Sequence, residues 1–301
     1  MTTLLSKSKD RIPLKIRRIP GGLLVKYRRW NKQRQINSLR EEKIKNTQFP
    51  LSNKLHESII TSINIANKLQ EVQTEHSSKN CFPGISELQQ YWGELRETII
   101  QLETLNPHDK YFNVETFDSL KSNGRKIMKD LFIMWLGKHR QPMRVLEIGT
   151  RTGASIVSLL AMHPKNKSCF SMLIDPFMEM GSPIVIKKNL QHLQIPTNNV
   201  HILTGLSESI IPNIPKEFPG LQFDYILVDG SHEEADALND LHMITSLLAP
   251  RGYVVFDDIG KYSGKGYGLK TVWEKWKQGL QEEFVFREYE ENYGFAVACK
   301  R

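Results

Sequence analysis

Apolar side chains recur at two different spacings along the chain, and the change of spacing divides it in two. In residues 51–75 and 85–105 they recur every three or four positions, which predicts two amphipathic helices. From about residue 120 onward, short apolar runs alternate with helical patterns. That alternation predicts a parallel sheet with helices on both faces, because each strand–helix unit returns the chain to the same edge of the sheet.

Seven of these short runs have the length and composition of strands. The predicted strands are 144–148, 169–174, 199–203, 223–228, 252–256, 283–289 and 294–299, and the predicted helices among them are about 122–138, 153–163, 182–193, 232–248 and 267–279. The last two strands are joined by too few residues for a crossover, so they must form an antiparallel hairpin. We therefore predict an α/β fold: a doubly wound, mostly parallel seven-stranded sheet with a C-terminal antiparallel hairpin and an N-terminal helical extension.

The charge of the chain is concentrated at its N-terminal end. The net charge is +8, and residues 1–45 hold 14 Lys and Arg against 3 Asp and Glu, whereas the rest of the chain holds 27 against 30. A basic tail of this kind can touch an anionic surface, such as lipid, nucleic acid or an acidic partner, or it can simply keep the protein soluble. We predict three parts: the basic tail 1–45, a helical extension 46–110 and an α/β domain 111–301. The extension could be a lid over the site, a homo-oligomer contact, or helices packed on the main domain.

The remaining composition excludes several classes of protein. No window approaches the ~18 uninterrupted apolar residues of a membrane-spanning helix, so we expect no transmembrane segment. The three cysteines, Cys81, Cys169 and Cys299, are widely separated and support neither a disulfide framework nor a zinc site. These features favour a cytoplasmic setting.

A glycine-bearing turn follows the first predicted strand of the sheet. The strand carries Glu147 near its end, and the turn places Gly149 and Gly153 four residues apart before a helix. Ligands of doubly wound sheets bind at the carboxyl ends of the strands, where glycine lets the backbone approach them closely. The Gly-x-Gly-x-x-Gly pattern of dinucleotide-binding loops is absent, which disfavours a nicotinamide cofactor. Asp175 ends the second strand, where an acid can accept both ribose hydroxyls, or alternatively cap the turn before Pro176.

Acidic side chains also end the fourth and fifth strands. Asp229 follows one of them, and Asp257 and Asp258 follow the other. Adjacent parallel strands lie ~4.8 Å apart, so these carboxylates converge and would repel one another without a cation. A hard divalent ion with oxygen ligands, most simply Mg²⁺, would resolve that repulsion. His232 lies nearby and could remove a proton from a hydroxyl, or it could merely fill the first turn of a helix capped by Ser231 and Glu234.

The segment 201–212 resembles the adenine-binding segment of catechol O-methyltransferases, which belong to the class I methyltransferases. Ser155 matches the serine that holds the methionine carboxylate in that family, and the three strand-end acids match its metal ligands. The resemblance implies S-adenosylmethionine as the cofactor, Mg²⁺ as the metal ion, and a hydroxyl group as the methyl acceptor. It assigns catalysis to His232 and Asp229, and the metal to Asp229, Asp257 and Asp258. Taken together with the glycine turn and the strand-end acids, it gives the cofactor residues that we expect: Glu147, Gly149, Thr150, Gly153, Ser155, Asp175, Ser207, Glu208 and Asp229.

The acceptor is indicated by a second resemblance. Residues 228–232 together with 256–259 are similar to a bacterial group of macrolide-sugar O-methyltransferases and cephalosporin hydroxylase-like proteins, which implies a sugar or natural-product small molecule. The chain departs from the catechol family at three positions. Glu208 stands where that family has an amide, Asp258 where it has asparagine, and His232 where it has a lysine base.

Three alternatives stay open at this point. The first keeps the fold without a metal and leaves His232 as the base. The second is a nucleic-acid-directed methyltransferase or binding protein that uses the basic tail, although the rest of the chain is slightly acidic. The third is a cofactor-binding protein without catalytic activity.

Overall fold

The computed structural model describes residues 51–70, 81–103, 105–106, 113–115, 127–164, 166–177, 181–260, 268–290 and 293–301. The basic tail 1–45 lies outside these ranges, so the roles predicted for it stay predictions. Within these ranges, we find no helix with the length and apolar character needed to span a bilayer.

The core of the molecule is one seven-stranded sheet. Its strands are β1 (Arg144–Ile148), β2 (Phe170–Asp175), β3 (Val200–Thr204), β4 (Phe223–Val228), β5 (Leu248–Asp257), β6 (Phe284–Tyr289) and β7 (Phe295–Lys300), in the spatial order β3-β2-β1-β4-β5-β7-β6. The first five strands run parallel, and β7 is antiparallel to both β5 and β6. The chain order reverses between β1 and β4, which is where ligands of such sheets bind. The predicted fold class is confirmed.

The strands are apolar on both faces because helices cover both faces. Along β1, Leu146 and Ile148 belong to one core and Val145 to the other. Along β4, Ile226 and Val228 point to the first of these cores, whereas Tyr225 and Leu227 point to the second. Side chains of a strand alternate between the two faces, so a near-continuous apolar run feeds both cores at once.

Helices of the N-terminal extension pack on opposite faces of this sheet. Helix α1 (Asn53–Gln70) buries Ile59 and Ala66 in the first core. The helical run formed by α2 (Ile85–Leu88), a 3₁₀ turn (Gln89–Tyr91) and α3 (Trp92–Glu103) buries its apolar side in the second core, beside α4 (Ile127–Trp135). Apolar burial is the main force holding such helices in place. The lid and oligomer roles stay predictions.

Most of the remaining helices lie where the spacing predicted them. They are α5 (Ala154–Met162), α6 (Pro183–His192), α9 (Glu234–Thr245) and α10 (Lys270–Lys277). Two short helices, α7 (Ser207–Ile210) and α8 (Ile214–Glu217), and the 3₁₀ turn Ile211–Asn213 between them were not predicted, because Pro212 and Pro215 interrupt the pattern.

Most boundaries differ from those predicted by one to four residues. Helix α9 begins at Glu234 rather than 232, and β5 begins at Leu248 rather than 252. Helix α4 continues as a π-helix over Leu136–Arg140. A Cβ at Gly137 would lie 2.4 Å from the carbonyl oxygen of Leu159, so glycine is what lets this turn approach α5 so closely.

Candidate functional site

The turn after β1 is fixed to both neighbouring strands. The amide of Gly149 donates to the Ile174 carbonyl at 2.9 Å, and the amide of Asp229 donates to the Ile148 carbonyl at 2.9 Å. Gly149 has φ +87°, and a Cβ there would lie 2.0 Å from the carbonyl oxygen of Asp229. The sequence therefore needs glycine here both for the left-handed backbone and for the contact between the ends of β1 and β4.

Asp175 ties the second strand to the same turn. Its carboxylate accepts hydrogen bonds from the backbone amides of Arg151 (2.7 Å) and Phe177, and the residue is 6% exposed. Arg151 and Phe177 both have positive φ. Non-glycine residues in that region are strained and gather at functional sites. The bond from Phe177 is the turn-capping role considered for Asp175, and it is compatible with a ribose contact because each carboxylate oxygen accepts more than one hydrogen bond.

Two buried hydroxyl-bearing residues line the start of α5. Thr150 is 3% exposed, and its Oγ1 has no hydrogen-bond partner among the described residues. Ser155 is 8% exposed and lies in the first turn of α5, whose N-cap is Gly153 with φ +85°. No side chain caps this end, so the first backbone amides of the helix can face an anionic group. A buried hydroxyl without a partner beside such an end is what a polar ligand would satisfy.

The other predicted cofactor residues lie at the same edge of the sheet. Glu147 is 2% exposed on β1, and burial raises the pKa of its carboxyl well above the usual range, with Lys129 opposing the shift and Asp229 adding to it. Ser207 and Glu208 begin α7, directly after the Gly205 turn that ends β3, and both are partly exposed.

The acids that end β4 and β5 share a buried lysine. Lys129 of α4 donates from Nζ to Asp229 Oδ2 and to Asp257 Oδ2, each at 2.6 Å, and its side chain is 11% exposed. Burial alone would lower the pKa of Lys129, but the carboxylates of Asp229 and Asp257 raise it well above its ordinary value. Lys129 is therefore a permanent cation. Burial raises the pKa of Asp229 to about 7. The Lys129 ammonium opposes this shift, and the carboxylates of Asp257 and Asp258 add to it.

Asp258 pairs with His232 instead. The His232 Nε2 and Asp258 Oδ2 atoms are 2.8 Å apart, and the side chains are 44% and 8% exposed. Asp258 has φ +60°, a region in which non-glycine residues are strained. Ser231 donates to Asp236 and accepts from the amide of Glu233, and the N-cap of α9 is Glu233, so the capping box considered for Ser231 and Glu234 is not formed.

The predicted metal set does not fit an ion as it stands. Asp229, His232 and Asp258 offer ligand atoms that lie within 4.8 Å of one another, but Asp257 is not part of this group. The position between Asp229 and Asp257 is filled by the Lys129 ammonium. A divalent ion bound between these two carboxylates would meet a like charge at close range.

Lys129 is the residue that sequence reasoning missed. It precedes Ile133 and Leu136 by four and seven positions, so all three lie on one side of the helix. Ile133 and Leu136 are both fully buried. A lysine that heads a column of buried apolar residues needs a carboxylate partner, and that signal was available in the sequence.

Comparison with known proteins identifies the central segment. Residues 146–259 match the family model described as a methyltransferase domain. A protein of Acanthamoeba polyphaga mimivirus, named Uncharacterized protein R132, is 30% identical over 125 residues, which cover 41% of this chain. The chain spans about half of that relative, 54% of its length.

Solved structures with a similar fold include two O-methyltransferases. TomG from Streptomyces achromogenes, solved with S-adenosylmethionine, is 19% identical, with 69% of this chain and 89% of TomG covered and a TM-score of 0.49. The enzyme from Bacillus cereus, solved with S-adenosylhomocysteine, is 14% identical, with 81% and 100% covered and a TM-score of 0.46.

Proposed function

We propose that the methyltransferase domain, to which residues 146–259 belong, makes this chain an S-adenosylmethionine-dependent O-methyltransferase of small molecules, with a sugar or natural-product hydroxyl as acceptor. The observation that carries the proposal is the His232–Asp258 pair, which lies at the carboxyl edge of the sheet beside the glycine turn after β1. A base next to a nucleoside-type site is what methyl transfer to a hydroxyl requires.

The turn after β1 suits this cofactor. Bound there, S-adenosylmethionine would supply a methyl group on a sulfonium centre. Thr150 and Ser155, with the amides that begin α5, would hold its carboxylate end, and Asp175 its ribose hydroxyls. Ser207 and Glu208 would flank the adenine. Glu147, Gly149, Gly153 and Asp229 would shape the turn that the cofactor rests on.

His232 would take the proton of the acceptor. Because Nε2 faces the Asp258 carboxylate, that nitrogen carries the hydrogen, and the lone pair is on Nδ1. Asp258 holds the ring in this tautomer and stabilises the imidazolium that forms. His232 would accept the proton of the acceptor hydroxyl as its oxygen takes the methyl group from sulfur, so that the products would be a methyl ether and S-adenosylhomocysteine.

A magnesium ion is the second candidate for the electrostatic part of this chemistry. The close grouping of Asp229, His232 and Asp258 favours it. An ion held by these three residues would make His232 a ligand rather than the base, and it would need to bind beside Lys129. The two forms of the proposal therefore differ in what His232 does.

The test is to replace His232 and to measure turnover and cofactor binding separately. Methyl transfer from labelled S-adenosylmethionine to a panel of sugars and polyphenols would be followed for wild type, His232→Ala and His232→Gln, with His242→Ala, an exposed histidine of α9, as the matched control. We expect kcat to fall about 10²–10⁴-fold in both His232 variants, while S-adenosylhomocysteine affinity and the control stay near wild type. Parallel loss of turnover and affinity would contradict the base assignment.

A further inference from the structure

A buried ammonium group stands where a metal ion would be needed. Lys129 Nζ is 2.6 Å from a carboxylate oxygen at the end of β4 and 2.6 Å from another at the end of β5. The helix that carries it is held by Ile133 and Leu136, both fully buried, so the lysine cannot easily swing into solvent. It therefore bridges the two strand ends.

In this position the lysine offsets the repulsion between the carboxylates at the strand ends. Three carboxylates converge at the edge of the sheet, and each has a cationic or proton-bearing neighbour: Asp229 and Asp257 have Lys129, and Asp258 has His232. A metal ion is not needed to hold them together.

We infer that Lys129 is the resident cation of this site, a positioning residue that holds the β4 and β5 acids in place of a divalent ion. The inference rests on the proposed function for its catalytic meaning. The claim that Lys129 excludes a metal ion rests on the distances from its ammonium group to the Asp229 and Asp257 carboxylates. With Lys129 as the cation of the site, methyl transfer by this chain is independent of added metal.

The experiment is a metal titration that does not depend on turnover. Mn²⁺ binding would be measured by electron paramagnetic resonance on wild type, Lys129→Met and Lys129→Arg, with Lys216→Met, an exposed lysine of α8, as the control. Wild type, Lys129→Arg and the control should bind Mn²⁺ weakly and alike. Lys129→Met should bind Mn²⁺ at least about 1000-fold more tightly, since a like charge ~4 Å away at an effective dielectric constant of ~20 opposes a second cation by that factor or more.

Two results would overturn the inference. One is tight Mn²⁺ binding by wild type, whether or not it is lost in Asp257→Asn, and the other is unchanged Mn²⁺ affinity in folded Lys129→Met. If Lys129→Met does not fold, the comparison of wild type with Asp257→Asn decides: weak, equal Mn²⁺ binding supports the lysine, and tight binding by wild type refutes it. Binding of S-adenosylhomocysteine in EDTA is measured on the same proteins. Absence of that binding would show that the proposed function has failed, and it is a separate result from failure of the lysine assignment.

Discussion

Replacing Gly149 by alanine should damage the fold and the site together. The residue has φ +87°, a region that costs an L-residue about 1–2 kcal/mol. The new Cβ would also lie 2.0 Å from the Asp229 carbonyl oxygen and 2.5 Å from its carbonyl carbon. Both atoms are backbone, so β1 and β4 would have to separate, and forced overpacking of this kind costs about 1–3 kcal/mol more.

Gly220 provides a matched control. It has φ +80°, but a Cβ there would meet nothing within 4 Å, so Gly220→Ala has the same backbone cost without the clash. Urea unfolding followed by circular dichroism should show Gly149→Ala less stable than Gly220→Ala by about 1–3 kcal/mol. Calorimetry should show S-adenosylhomocysteine affinity lost in Gly149→Ala and kept in Gly220→Ala. Equal stability and equal affinity of the two variants would refute the contact between the turn and Asp229.

Two further predictions concern the stability of the domain. Burial lowers the pKa of His201 to about 4, so the unfolded chain takes up the proton first as pH falls. The free energy of unfolding should therefore drop by up to about 3 kcal/mol between pH 6.5 and pH 4. The same pH dependence in His201→Gln would contradict this prediction. Asp224 accepts hydrogen bonds from the side chain and the backbone amide of Arg144. Urea unfolding should show Asp224→Ala less stable than wild type by about 3 kcal/mol. Glu234→Ala, which removes one partner of an exposed ion pair, should stay within about 0.5 kcal/mol of wild type.

The fold was predictable because local patterns determine most of it. The run 144–148 carries both the length of a strand and the apolar character of one covered on both faces, and it coincides with β1. The short connection before β7 predicted the antiparallel hairpin. The segment 207–217 was not predicted as helical, because its helices are four residues each and depend on tertiary contacts of Ile210 and Ile214 rather than on periodicity.

The acids of the site were predictable, and the sequence also indicates that Lys129 needs an acidic partner, but it does not indicate which acids those are. Asp229, Asp257 and Asp258 end neighbouring strands, so their convergence follows from strand order. Their pairing does not follow, because Lys129 is 100 residues from Asp229 and 128 from Asp257 in the chain. The positive φ of Asp258, which pairs with His232, also has no local signal in the sequence.

The most direct test of the account is calorimetric titration of S-adenosylhomocysteine into the purified wild-type protein in EDTA. The account predicts binding at one site per chain, with an affinity that does not change when Mg²⁺ replaces EDTA. Absence of binding under both conditions would contradict the proposal that this domain uses S-adenosylmethionine. Binding that appears only with Mg²⁺ would contradict the assignment of Lys129 as the cation of the site.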